Sequence, residues 1–192
     1  IPLDAADLLE ATEQHEDEIA ELLTRVKVRL TTRIVEPCIY GFFQPVILLP
    51  AWCLDESDPP NLEYILLHEG MHCRARDHWF LWARRVTEVF LWFHPAVWYA
   101  GQKAMAEAEN VCDEAVVALA HRAGTPSPSL LYSSCLMRVL ERATRHAFEG
   151  LVPGVMPTAE RIRRLVQQTA PVATSVSGRA TLSVIALGAL AL

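Results

Sequence analysis

One short run, His68-Glu69-Gly70-Met71-His72, has the residue types and spacing to do chemistry. On a helix, residues four apart share a face, so His68 and His72 direct both imidazoles to one point. Two ring nitrogens aimed at one point can hold a divalent metal, and Zn²⁺ is the ion this HExxH pattern suits. Glu69, one step round the helix, then has the type and place to take a proton from a water on that ion. The competing reading is a surface helix that carries two unrelated histidines.

Two histidines do not complete a catalytic zinc site, which takes three protein ligands and keeps one position open. The third ligand in this reading is Glu109, in Glu109-Asn110-Val111-Cys112-Asp113-Glu114. Asp113 stands four residues on and shares its helix face. Its expected role is to accept a hydrogen bond from the outer N–H of a ligand histidine, which fixes the tautomer. The alternative for this run is a solvated acidic face, since Glu107 and Glu114 lie beside it. Cys112 could bind zinc as a thiolate but is expected to be a small core residue. Cys73 should turn away from the ligand face. His78 should lie off it, and His94 should cap or pack at a helix junction. His15, His121 and His146 sit in polar surroundings and read as surface residues.

The elements that must position these groups follow from periodicity and punctuation. Residues 4–25 read as an acidic helix with Leu8, Leu9, Ile19, Leu22 and Leu23 as apolar contacts. Val26–Leu30 alternates as a half-buried strand does, and strands are also expected at Arg33–Val35 and Phe42–Leu49. Pro45 cannot donate to a ladder, so the Phe42–Leu49 strand is expected at a sheet edge or with a bulge. Asp58 is the expected N-cap of the HExxH helix, with Pro59 and Pro60 in its first turn. Trp79–Phe93 is expected to be a core helix, with contact to a membrane as the alternative. Helices are further expected from Pro95 to about Ala120, over Leu130–Phe148 and over Thr158–Gln168. Residues 169–178 read as a linker.

The chain of 192 residues suits one domain with a sizeable core. Its net charge of −6 does not favour a nucleic-acid partner. Five scattered cysteines without a CxxC pair point to reduced thiols in a cytosolic setting. Ala180–Leu192 is apolar on all faces and shorter than the roughly 20 residues a membrane crossing needs. It is expected to be the start of a truncated transmembrane helix over 179–192, and the chain a piece of a longer one. Arg161, Arg163, Arg164 and Arg179 precede it, and basic flanks mark the cytoplasmic side. Residues 1–178 are then the cytosolic domain.

The chain resembles the cytosolic zinc metallopeptidase domain of the BlaR/MecR-type antibiotic-sensor proteins, bacterial inner-membrane peptidases of the gluzincin group. The resemblance is carried by Gly41 to Pro50, by the HExxH run with Arg74, Arg76 and Asp77 after it, and by Trp92-Phe93-His94-Pro95. Glu109 to Glu114 and Arg161-Ile162 complete it. It implies an α+β fold, mostly helical and gluzincin-like, with a small β-sheet before the HExxH helix. It implies Zn²⁺ held by His68, His72 and Glu109, with Glu69 catalytic and Asp113 behind the ligands. The implied substrate is a cytosolic protein such as a transcriptional repressor, cleaved at the membrane without direct contact to nucleic acid. Tyr132 and Arg161 are guesses for the group that stabilises the oxyanion. A housekeeping membrane-protein protease and a non-catalytic signalling or scaffold domain are the alternatives. Gly70 departs from the family's larger apolar residue. Glycine costs about 1 kcal/mol in a helix, and here it is expected to permit a close approach.

Overall fold

The computed structural model describes residues 16–54, 62–147 and 155–168. Helix α1 (Glu16–Arg25) leads into strand β1 (Lys27–Thr31), then β2 (Cys38–Tyr40), β3 (Val46–Pro50) and a 3₁₀ turn at Ala51–Leu54. Five further helices follow: α2 (Leu62–Ala75), α3 (Asp77–Phe90), α4 (Pro95–Arg122), α5 (Pro128–Ala147) and α6 (Val155–Gln168). This is a mostly helical α+β domain with a small sheet ahead of the HExxH helix, α2. Leu8, Leu9, the cap at Asp58, and the segments 169–178 and 179–192 lie outside the described residues. No described helix is long and apolar enough to cross a membrane.

The sheet order is β1-β3-β2, with β1 parallel and β2 antiparallel to β3. Alternation places Val28 on β1 and Ile47 and Leu49 on β3 in the core. The expected edge strand is therefore the central one. Pro45 falls one residue before β3, so its missing N–H lies outside the ladder and β3 can pair on both sides. Arg33–Val35 forms no strand; the Val35 carbonyl instead accepts the Trp52 indole N–H at 3.1 Å. The unexpected strand β2 pairs with β3 across the loop 41–45. Gly41 there has φ +105°, and a Cβ on it would lie 2.5 Å from the Gln44 carbonyl oxygen, so only glycine fits.

Helix α2 runs through the core. Leu62 and Tyr64 through Gly70 are all buried, so its first turns are covered on every side. It packs against α1, α3, α4, α5 and β2. Ile19 of α1, Val116 of α4 and Tyr132 of α5 complete the core around it. Gly70 does serve a close approach: a Cβ there would lie 2.8 Å and 3.0 Å from the two methyls of Leu22 on α1. We expect Gly70→Leu to destabilise the fold by about 1–3 kcal/mol through overpacking. Leu22→Ala in the same chain should recover part of that loss, as read by thermal melts. An unchanged melting temperature for Gly70→Leu would refute this packing.

Two expectations fail on α3 and α4. The aromatic helix α3 is not in the core: Trp79, Phe80, Trp82 and Phe90 are all exposed, and only Glu88 on α3 is buried. Periodicity reports an apolar face but not what covers it. His94 occupies the N-cap position of α4 but makes no side-chain cap, and Pro95 opens the helix without it.

Candidate metal centre

Helices α2 and α4 cross, and the crossing brings His68, His72 and Glu109 together. The two Nε2 atoms are 3.2 Å apart. Glu109 Oε2 is 3.4 Å from His68 Nε2, and Glu109 Oε1 is 3.4 Å from His72 Nε2. Donor atoms 2.0–2.1 Å from a tetrahedral Zn²⁺ stand roughly 3.3 Å from one another. The two Nε2 atoms stand about one such separation apart, and each is met at a similar distance by one oxygen of the Glu109 carboxylate, so the residues can converge on the ion. Burial works against the charge on Glu109. It is outweighed by the two imidazoles and by the Arg161 guanidinium, which hold the carboxyl well below the usual range and leave it ionised, as a ligand must be.

Each histidine is oriented from its other nitrogen. His72 Nδ1 donates to Asp77 Oδ2 at 2.7 Å. Arg76 makes this possible: it adopts the left-handed region at φ 60°, separates α2 from α3 and turns Asp77 back toward the motif. Cys112 Sγ lies 3.4 Å from the same Nδ1. His72, Asp77 and Cys112 also lie within ligand range of one another. Asp77, however, meets His72 at hydrogen-bond length, on the ring edge away from Glu109. Burial pushes the His72 pKa down, but Cys112, Glu109 and Asp77 reverse this and raise it to about 11.

His68 is held differently from the expectation. Asp113 Oδ1 is 3.4 Å from His68 Nδ1, too long for a good N–H···O bond. Tyr132 bridges the gap, with its hydroxyl 2.9 Å from His68 Nδ1 and donating to Asp113 Oδ1 at 2.7 Å. Tyr132 is thus buried behind the imidazole, which removes it from the oxyanion role. Arg161 of α6 grips Asp113 through Nε (2.9 Å) and Nη2 (2.6 Å), and Glu109 through Nη1 (2.7 Å). Its Nη2 also approaches His68 Nε2 at 3.2 Å, on the nitrogen a metal would take. Arg161 therefore faces the site, where both carboxylates hold it. Arg163 pairs with Glu160.

His68, His72, Asp77, Glu109, Tyr132 and Arg161 line a cleft of ≈ 280 Å³. Glu69 is on its wall; burial raises its pKa, opposed by His68 and His72. Glu36, Cys38 and Ile39 bring β2 to the same cleft. Burial also raises Glu36, against the pull of Arg161. His78, expected off the motif's face, lines the cleft too, and its Nδ1 is buried without a hydrogen-bond partner among the described residues. Cys73 packs partly buried against the core. His121 is exposed, as expected, while His15 and the His146 side chain lie outside the described residues. None of the five cysteines forms a disulfide.

Residues 2–165 match the family described as BlaR1 peptidase M56. The chain belongs to that family. M56 peptidases are metallopeptidases, and the matched stretch contains the whole His68/His72/Glu109 cluster together with Arg161. The regulatory protein BlaR1 of Bacillus licheniformis is similar to this M56 chain, with 32% identity over 84 residues. That stretch is 44% of the chain and 14% of the relative. The methicillin resistance mecR1 protein of Staphylococcus aureus is 27% identical over 97 residues, which are 50% of the chain and 17% of the relative. The similarity therefore spans less than a fifth of either relative.

Proposed function

We propose that this M56 chain is the zinc-dependent endopeptidase domain of a bacterial signal-transducing protease. In this reading residues 1–178 work on the cytoplasmic side of the inner membrane, with the apolar stretch within 179–192 entering the bilayer. The substrate is a cytosolic protein, for which a transcriptional repressor is the proposed example. The observation that carries the reading is the convergence of His68, His72 and Glu109, with both Nε2 atoms turned to one carboxylate. The names of the two relatives, a regulatory protein and a resistance protein, support the signalling role.

His68, His72 and Glu109 would hold the ion, which supplies Lewis acidity to water and to a peptide carbonyl. Glu69 accepts the proton of the attacking water and passes it to the leaving amine. Asp77 keeps the His72 proton on Nδ1, and Tyr132 with Asp113 does the same for His68, so both Nε2 atoms face Glu109. Arg161 is the proposed holder of charge that develops on the peptide oxygen. Among the described residues β2 pairs with β3 alone, and β2 borders the cleft. An extended substrate is therefore proposed to add to β2.

Metal titration tests this reading. His72 carries its extra proton across the neutral range, so an ion taking Nε2 must expel it. We expect release of about one proton per ion at pH 7–8, measured by calorimetry in buffers of different ionisation enthalpy. Affinity should rise with pH over this range. His72→Ala and Glu109→Ala should lose zinc and peptide hydrolysis together. Hydrolysis that survives full zinc removal would refute the proposal.

A further inference from the structure

Among the described residues, the most exposed cluster of aromatic side chains lies on the hairpin formed by α3 and α4. Phe90 is 74% exposed, Trp92 70% and Phe93 64%, with Tyr99 on α4 beside them. The surface extends along α3 to Trp82 and Trp79, whose rings lie 5.6 Å and 4.0 Å from Phe42. Soluble monomers rarely leave so large a contiguous apolar patch in water.

Its charge is equally distinctive. Between Trp79 and Ala106 the charged residues are Arg84, Arg85, Glu88 and Lys103, a net +2 in a chain of net −6. The single acid is removed from the surface: Glu88 is 3% exposed and accepts from Arg84 Nε at 2.6 Å and Arg85 Nη1 at 3.0 Å. Several polar groups near the tip are also satisfied within the hairpin. Trp98 Nε1 donates to the Trp92 carbonyl at 3.0 Å, and the Thr87 hydroxyl to the Ala83 carbonyl at 2.9 Å. The Leu91 and His94 amides donate to the Thr87 and Leu91 carbonyls. Hydrocarbon, which offers no hydrogen bonds, demands this of whatever enters it. Trp and Tyr with basic residues behind them are the composition of a bilayer interface, and anionic headgroups complement the net positive charge.

We propose that the α3–α4 tip, from Val89 to Tyr99, inserts into the interface of an anionic bilayer, with the exposed Arg85 and Lys103 side chains facing lipid phosphates. This deepens the membrane reading above by naming the surface that meets lipid, and it requires nothing of the metal.

The test uses the full 192-residue chain with phosphatidylcholine vesicles, with and without phosphatidylglycerol. Bound protein is measured by sedimentation, and depth by quenching of tryptophan with brominated acyl chains. Residues 180–192 contain no Trp, so quenching cannot come from the apolar tail. We expect quenching, stronger binding with phosphatidylglycerol, and a severalfold loss of quenching at the remaining tryptophans for Trp92→Glu/Phe93→Glu. His72→Ala should bind vesicles as the parent chain does, which separates this outcome from failure of the peptidase reading. The proposal is overturned by absence of quenching, or by quenching of the remaining tryptophans that the double variant leaves unchanged. It is also overturned by a concentration-dependent dimer that the double variant abolishes without any vesicle binding.

Discussion

Glu69→Gln is expected to leave zinc affinity near that of the parent chain and to lower peptide hydrolysis by about 10²–10⁴-fold. The side chain keeps its size and place on α2 but loses the ability to accept a proton. Glu69 is not among the three converging donors, so the ion should stay. Burial raises the Glu69 pKa, and the neighbouring imidazoles oppose that rise. The measurement is single-turnover cleavage of a peptide beside metal content on the same preparation. Parent-like hydrolysis by a zinc-loaded Glu69→Gln chain would remove Glu69 from the proposed mechanism.

Arg161→Ala should cost about 3–5 kcal/mol of stability, because removing one partner strands buried charge. Arg161 is the shared cation of Asp113 and Glu109, and the side chains involved are 14%, 5% and 25% exposed. For a chain of this size the loss lowers the melting temperature by roughly 10 °C. Arg161→Lys should recover only part of it, since an ammonium cannot reproduce the fork on Asp113. Adding Asp113→Asn to Arg161→Ala should restore stability relative to the single variant, by removing the stranded charge. A double variant no better than Arg161→Ala would show that the pair is not what holds α6 in place.

What could be read from the sequence is what depends on local spacing. His68 and His72 are one helical turn apart, and Glu109 and Asp113 likewise, so helix geometry alone assigns each pair to a face. Which residues stand behind the ligands is a tertiary question. Tyr132 is 64 residues from His68, and Arg161 is 48 residues from Asp113. Nothing in the α5 or α6 periodicity marks either as part of a metal centre. Asp77 was closer to reach, five residues after His72, but its return to the motif depends on the left-handed Arg76. A basic residue gives no sign of that conformation. The sheet was legible as strands but not in its order. Pro45 argued for an edge because the boundary was placed a few residues too early, and β2, only three residues long, is too short to show a period.

Helix α4 runs without interruption from Pro95 to Arg122, and Glu109 stands fourteen residues from its start. At 1.5 Å per residue the cleft around Glu109 lies roughly 21 Å along that rod from its first residue. If the tip is fixed at the lipid headgroups, α4 acts as a yardstick. Which bond is cut is then selected by its height above the headgroup plane as much as by the side chains that flank it. Moving a cleavage sequence nearer to that plane, or farther from it, should spare the substrate without any change in its residues.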